Sequence, residues 1–406
     1  MESPRLIAAL VRIVHDVGLA EDVAQDAFEA ALRQWPEAGI PRNPAAWLTV
    51  TAKHKAIDEL RRQATLQRKA TELGRGIELQ ETDLDTAVGD ATIDDDLLRL
   101  IFICCHPILS VDARVSLTLR LLGGLRTDEI ARAFLASDAA IGQRVSRAKR
   151  TLSEARVPFE VPQGADFEAR LGSVLQVIYM IFNEGYTATS GEDWIRPALC
   201  EDALRLGRVL AGLVPHEPEV HGLVALMEIQ ASRIRARTNV TSGAPIPLLE
   251  QQRSRWDQLL IRRGLDALSL ADASPGPRGP YTLQAAIVAC HARARTADET
   301  DWAQIVALYD ALAKLTPSPI IELNRAVAVS MAEGPQAGLE LVDALSDEPA
   351  LDAYHLLPAV RADLLARLGR HEEAATEFAR AASLTRNMAE RDLLLDRARA
   401  HGVNRP

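Results

Sequence analysis

Residues 125–152, LRTDEIARAFLASDAAIGQRVSRAKRTL, decide the fold. Leu125, Ile130, Ala131 and Phe134 fall at helical spacing, Ser137-Asp138 interrupts them, and Ile141, Val145 and Ala148 begin a second helical period. A Ser-Asp step at such a break is a helix N-cap signal, because the side-chain oxygen accepts an otherwise orphaned backbone N–H. The second helix carries Arg144, Arg147, Lys149 and Arg150, with no acidic residue between Asp138 and Glu154. Two helices joined by a capped turn, the second of them positive, predict a helix-turn-helix that enters a DNA groove.

Working outward, the rest of the chain is read as helix almost throughout. Its 406 residues, 48% hydrophobic, exceed one ordinary core and predict two or three domains. Aromatic residues make up only 4%, and Ala, Leu and Arg dominate, a composition that favours stacked helices. The net charge of -10 and pI near 5.5 confine any DNA contact to local patches. Cys104, Cys105, Cys200 and Cys290 have neither metal-site nor disulfide spacing and read as buried thiols of a reducing, cytoplasmic compartment. No apolar run approaches the ~18 residues that span a bilayer, so no membrane association is expected.

Leu6, Leu10, Ile13, Val14 and Val17 share a face of a first helix that Gly18 is expected to end. A second helix is predicted over 20–34, a proline-rich loop over 35–44, and a third helix over 45–63 with Pro44 at its start. Acidic residues crowd 66–96, which reads as a solvated linker. Helices resume at Leu97 and run through the helix-turn-helix towards Pro158 and Pro162. From about residue 285 the sequence repeats: Trp302, Ile305, Val306, Tyr309, Leu312 and Leu315 are echoed by His371, Ala374, Ala375, Phe378, Ala381 and Leu384. A fainter copy lies at Gly338, Leu339, Leu341, Val342, Ala344 and Leu345. The outer copies lie about two ~34-residue tetratricopeptide periods apart, so stacked helical pairs are expected.

Two upstream helices carry contrasting charge. Trp47, Lys53, His54, Arg61 and Arg62 suit a phosphate backbone and unstacked bases; a solvated face with a buried Trp is the plainer alternative. Glu21, Asp22, Gln25, Asp26 and Glu29 form an acidic stripe beside Phe28 and Leu32. Such a stripe repels DNA and either docks on a basic protein or faces water.

In their order and separation, AEDVAQDAF (20–28), AWLTVTAKHKAIDELRR (46–62) and the helix-turn-helix (125–152) resemble an extracytoplasmic-function sigma factor, a promoter-specificity subunit of bacterial RNA polymerase. DLLRLIFICCHP (96–107) and IFNEGYTATSG (181–191) extend the likeness to the group with a tetratricopeptide-like C-terminal extension. The resemblance implies an all-α protein: sigma region 2 over 1–65, a linker over 66–96, sigma region 4 over 97–160 and a helical extension over 166–406. It implies that Glu21, Asp22, Gln25, Asp26 and Phe28 bind core RNA polymerase at the clamp helices of its largest subunit, with the flap of the second-largest subunit as a further contact. Trp47, Lys53, His54, Arg61 and Arg62 then fall where the family melts and reads the -10 element. Gln143, Arg144, Arg147, Lys149 and Arg150 fall on the helix that reads the -35 element. Chemistry agrees: Gln143 and Arg144 offer bidentate contacts to adenine and guanine, while Arg147, Lys149 and Arg150 suit phosphates.

Sharper readings find less support. Cys104, Cys105 and His106 lack C-x-x-C spacing, so buried thiols are expected and no metal. The stretch from Asn183 to Trp194 reads either as a ligand site or, preferably, as a helix end at Gly185 followed by a helix capped by Ser190. No phosphate loop, nucleophile elbow or paired-carboxylate motif appears, so no enzyme and no cofactor are expected. The extension offers a surface for a protein or peptide, which would regulate or support activity. Two other functions fit parts of the chain: a repeat-based interaction adaptor, and a one-component DNA-binding regulator.

Overall fold

The computed structural model describes residues 2–70, 90–134, 136–188, 190–191, 194–239 and 244–402. The protein is all-α and divides into two units, Met1–Ile178 and Tyr179–Pro406.

The first unit begins with α1 (Glu2–Val14), α2 (Val17–Ala38), α3 (Pro44–Ala70) and α4 (Asp90–Cys104). The break between α1 and α2 falls before Gly18, at His15, which takes a left-handed φ of 52°, and at Asp16, whose carboxylate accepts the Leu19 N–H at 2.8 Å. A side chain that satisfies an orphan N–H sets this boundary, and Gly18 instead lies in the first turn of α2. The expected loop also starts late, because α2 continues through Pro36 until Gly39 (φ 83°) donates back to the Trp35 carbonyl at 3.0 Å. Leu6, Leu10 and Val11 of α1 are buried, as are Val23 and Ala27 of α2, Ala52 and Ala56 of α3, and Leu100 and Ile101 of α4. Burying a Leu or Val contributes about 1.5–3 kcal/mol each.

The expected linker is helical at both ends, since α3 runs to Ala70 and α4 starts at Asp90. Asp96, counted among its solvated acids, is 1% exposed and bridges Arg12 (3.4 Å) and Arg99 (3.0 Å). The linker acids Glu78, Glu81, Asp83 and Asp85 lie outside the described residues.

Next come α5 (Val111–Thr118), a π-helical turn (Leu119–Gly123), α6 (Thr127–Ala133), α7 (Asp138–Glu154) and α8 (Ala165–Tyr186). The π-turn stops at Gly124, whose φ of 74° suits glycine. Ser137 caps α7, accepting the Ala140 N–H at 3.2 Å. Ile141, Val145, Ala148 and Leu152 form the buried face of α7. The first turns of α8 complete this core. Arg170 donates to the Phe102 carbonyl (3.1 Å), and Ser173 donates to that of Cys105 (2.7 Å) and bonds Arg114.

In the second unit, α9 (Pro197–Leu213), α11 (Gln258–Ala273) and α12 (Pro280–Arg293) pack around α10 (Pro218–Ala231). The helix α10 is apolar nearly all round, as a central helix must be. Glu219 of α10 caps α12, accepting the N–H groups of Tyr281 (2.8 Å) and Thr282 (3.1 Å). A Cβ at Gly222 would lie 2.5 Å from Thr282 Oγ1, so the close approach of α10 to α12 requires glycine.

Three helical pairs follow: α13 (Trp302–Leu315) with α14 (Pro319–Ala332), α15 (Pro335–Asp343) with α16 (Leu356–Arg367), and α17 (His371–Leu384) with α18 (Met388–Gly402). Each helix packs on the next in the chain. The repeated motif marks the first helix of each pair: Ile305 and Leu312, Leu339 and Val342, Ala374, Phe378 and Ala381 are buried, Val306, Tyr309, Leu341, Leu345 and Leu384 are half-buried, and Leu315 is 52% exposed. Arg397–Asp363 (2.8 Å) and His355–Glu390 (3.0 Å) fasten α18. Ser190–Gly191 pairs as a parallel strand with Arg386–Asn387, and the buried Asn387 amide donates to the Ala188 carbonyl at 3.2 Å. The start of the second unit is thus joined to its last helical pair. Ser190, expected to cap a helix, lies in this strand. Helix α8 passes through Gly185 to Tyr186, and the next helix begins at Pro197.

Candidate nucleic-acid interface

The buried stripe of α7 leaves Gln143, Arg147 and Arg150 facing solvent. Arg150 pairs with Glu154 of its own helix at 3.7 Å, an exposed pair of small net energy. Arg144 is half-buried and lies 3.9 Å from Asp112 of α5. Among the described residues the exposed face of α7 is therefore polar and cationic, at the second helix of a helix-turn-helix.

Lys149 is different. Its side chain is 18% exposed, and its ammonium pairs with Glu21 of α2. Glu21 is itself 7% exposed and accepts from Arg120 Nε at 2.6 Å. Two cations from the helix-turn-helix half thus converge on one carboxylate of α2. The π-turn supplies Arg120, which also donates to the Leu125 carbonyl at 3.3 Å. Nothing near Arg120 in the sequence marks it, since its partner lies 99 residues away.

Of the acidic stripe, Asp22, Gln25 and Asp26 are exposed and Phe28 is half-buried, whereas Glu21 is not a surface group. Burial raises the Asp22 pKa, opposed by Lys149 and reinforced by Glu21, Asp16 and Asp26. Asp26 also lies 3.6 Å from Lys55 of α3.

On α3, His54, Arg61 and Arg62 are exposed and Lys53 is half-buried. Arg62 bonds Glu59 at 3.0 Å. Trp47 packs edge-on against Trp35 with centroids 5.5 Å apart. Ile40 and Val50, 72% and 52% exposed, lie in the same stretch of chain. An aromatic pair with apolar and cationic neighbours is a suitable platform for unstacked bases.

Cys104 and Cys105 are fully buried; desolvation holds the Cys104 thiol well above its ordinary range and pushes Cys105 to about 11. No group of three His, Cys, Asp or Glu residues is placed to hold a metal among the described residues. In the second unit, Arg237 lies between Tyr186 (3.6 Å) and Trp194 (4.3 Å), and burial lowers its pKa to about 10. Tyr186 and Trp194 are thus anchors for an arginine some fifty residues on, a pairing sequence spacing could not reveal. No described helix is long and apolar enough to cross a membrane.

Comparison with known proteins agrees with this geometry. Sigma-70 region 2 matches residues 1–65, sigma-70 region 4 matches 99–152, and a family of unknown function (DUF6596) matches 170–272. An uncharacterized protein of Rhizobium meliloti is 42% identical over 388 residues, which is 95% of this chain and 91% of that protein. A probable ECF RNA polymerase sigma factor, SigI of Mycobacterium tuberculosis, is 25% identical over 156 residues, 38% of this chain and 53% of its own length. No solved structure matches. The chain belongs to the sigma-70 family, as an extracytoplasmic-function type sigma factor with a long helical C-terminal extension. Such a factor is a transcription initiation protein that works with core RNA polymerase and promoter DNA.

Proposed function

We propose that the exposed face of α7 reads the -35 element, with Gln143 and Arg144 on base edges and Arg147 and Arg150 on phosphates. The observation that carries this reading is the Ser137-capped α7, whose apolar stripe is buried while its cationic face stays open. Trp47, Lys53, His54, Arg61 and Arg62 are assigned to the melted -10 element. Stacking on the Trp35–Trp47 pair would offset unstacking, which costs a few kcal/mol per base. Asp22, Gln25, Asp26 and Phe28 are assigned to the polymerase clamp helices, and the helix-turn-helix half to the flap. The helical extension is assigned a regulatory or supporting role, its paired helices offering a surface for a protein or peptide.

In vitro transcription with core polymerase on candidate promoters tests the reading. Promoter-dependent transcript is expected, and none from any form of the protein would overturn it. Arg144→Ala should weaken binding at one base pair by about 1–3 kcal/mol, seen as relaxed preference there, whereas Arg147→Ala should weaken all promoters alike. Removing the extension should change transcript yield, provided the cut follows Ile178 and so spares Arg170 and Ser173, which complete the region 4 core. An unchanged yield would exclude regulation by the extension.

A further inference from the structure

Among the described residues, two positions combine a side chain with left-handed backbone: His15 (φ 52°) and Arg156 (φ 50°). Each closes a helix, the His15 N–H donating to the Val11 carbonyl at 2.8 Å and the Arg156 N–H to that of Ser153 at 3.0 Å. Glycine holds this conformation without the clash that a Cβ meets. Both residues line one cavity of about 310 Å³ within the first unit. Strained residues gathered at a single cavity are a mark of a ligand clamp.

The lining divides by chemistry. Val11, Val17, Ile103 and Leu152 are buried and make an apolar floor, with Phe159 half-buried beside them. Two opposite charges complete it, Asp16 at the start of α2 and Arg156 just beyond α7. Among the described residues neither charge is in an ion pair, and the α2 cap uses a single Asp16 oxygen, Oδ1. An apolar chamber of this volume with a few placed polar groups has the form of a small-molecule site. A plain carboxylate would meet Arg156 but oppose Asp16, and a plain amine the reverse. We propose that the cavity binds a free aromatic α-amino acid. Its carboxylate pairs with the Arg156 guanidinium, its ammonium with Asp16, and its ring lies on the apolar floor beside Phe159. Charge-assisted hydrogen bonds at the two ends fix its orientation, and burial of the ring supplies affinity. The left-handed turns at His15 and Arg156 are what bring the two charges to the same cavity.

Calorimetric titration of the full-length protein tests this with L-phenylalanine, 3-phenylpropionate, which lacks the ammonium, and phenethylamine, which lacks the carboxylate. Saturable binding of phenylalanine is expected, with each analogue roughly tenfold or more weaker, because a site left with an unpaired polar group rejects the ligand that lacks its partner. Arg156→Gly removes the guanidinium while glycine takes the φ of 50° freely. Its thermal unfolding midpoint should be no lower than that of the wild type, its phenylalanine binding roughly tenfold weaker, and its phenethylamine binding unchanged. Asp16→Asn keeps the Leu19 cap, since Asn caps as well as Asp. It should weaken phenylalanine and leave 3-phenylpropionate unchanged or tighter. No saturable phenylalanine binding at millimolar concentration overturns the site, as does an analogue that binds as tightly as phenylalanine or a variant that binds phenylalanine like the wild type. Should Arg156→Gly lower the unfolding midpoint, Asp16→Asn decides alone. The titration contains neither polymerase nor DNA, so its failure would leave the sigma-factor reading untouched.

Discussion

Glu21 shows what single residues hide. In sequence it belongs to an acidic stripe with Asp22, Gln25 and Asp26, and helical spacing puts it near them. Its burial depends on Arg120 and Lys149, both about a hundred residues or more away, and no local pattern carries that information. Gln143, Arg147 and Arg150 were legible because their exposure follows from the apolar period of their own helix. His291 offers a further residue-scale test. It is 8% exposed, packs edge-on against Trp302, and is held to a pKa of about 3 by burial, with Arg233 and Arg253 adding repulsion. A depressed pKa means that the unfolded chain takes up the proton first. Stability is therefore whole above pH ~6.5 and lost as pH falls towards 3, at up to about 1.4 kcal/mol per pH unit. Chemical denaturation of wild type against His291→Gln between pH 7 and 4 should show a shallower slope for the variant.

At the scale of elements, hydrophobic period announced nearly every helix, while boundaries followed chemistry that period does not see. Asp16 starts α2 two residues before Gly18 because a capping carboxylate is the stronger signal. Pro36 lies inside the last turn of α2, where its missing N–H forgoes one intrahelical bond but only Glu37 and Ala38 of the helix follow it. Asp96 is buried in α4 between Arg12 and Arg99, which offset its desolvation only in part, so that its pKa stays raised. The capped turn is itself testable. Ser137→Ala leaves the Ala140 N–H without its partner and should cost about 1 kcal/mol, seen in thermal unfolding and as weaker -35 binding. Ser137→Asp should retain most of both.

For the whole molecule, the repeat pattern foretold the paired helices but not how they end. Sequence periodicity describes neighbours, whereas the pairing of Ser190–Gly191 with Arg386–Asn387 joins segments nearly two hundred residues apart. Asn387 is central to that junction, donating to Ala188 and accepting the Glu390 N–H at 3.1 Å. Asn387→Ala should cost about 1–3 kcal/mol, as a buried carbonyl loses its donor, and hydrogen exchange should quicken in α18 and near Ala188 together. Quickening in α18 alone would show that the two ends are not coupled.

An open helical array has free ends, frays from them, and can gain or lose a unit by simple insertion. A stack whose last pair is tied to the start of its unit has neither freedom. One more ~34-residue pair would carry Asn387 away from Ala188, and one fewer would leave it short. The junction thus acts as a ruler: it sets the number of helical pairs, and it makes lengthening the extension a far harsher change than altering any single face of it.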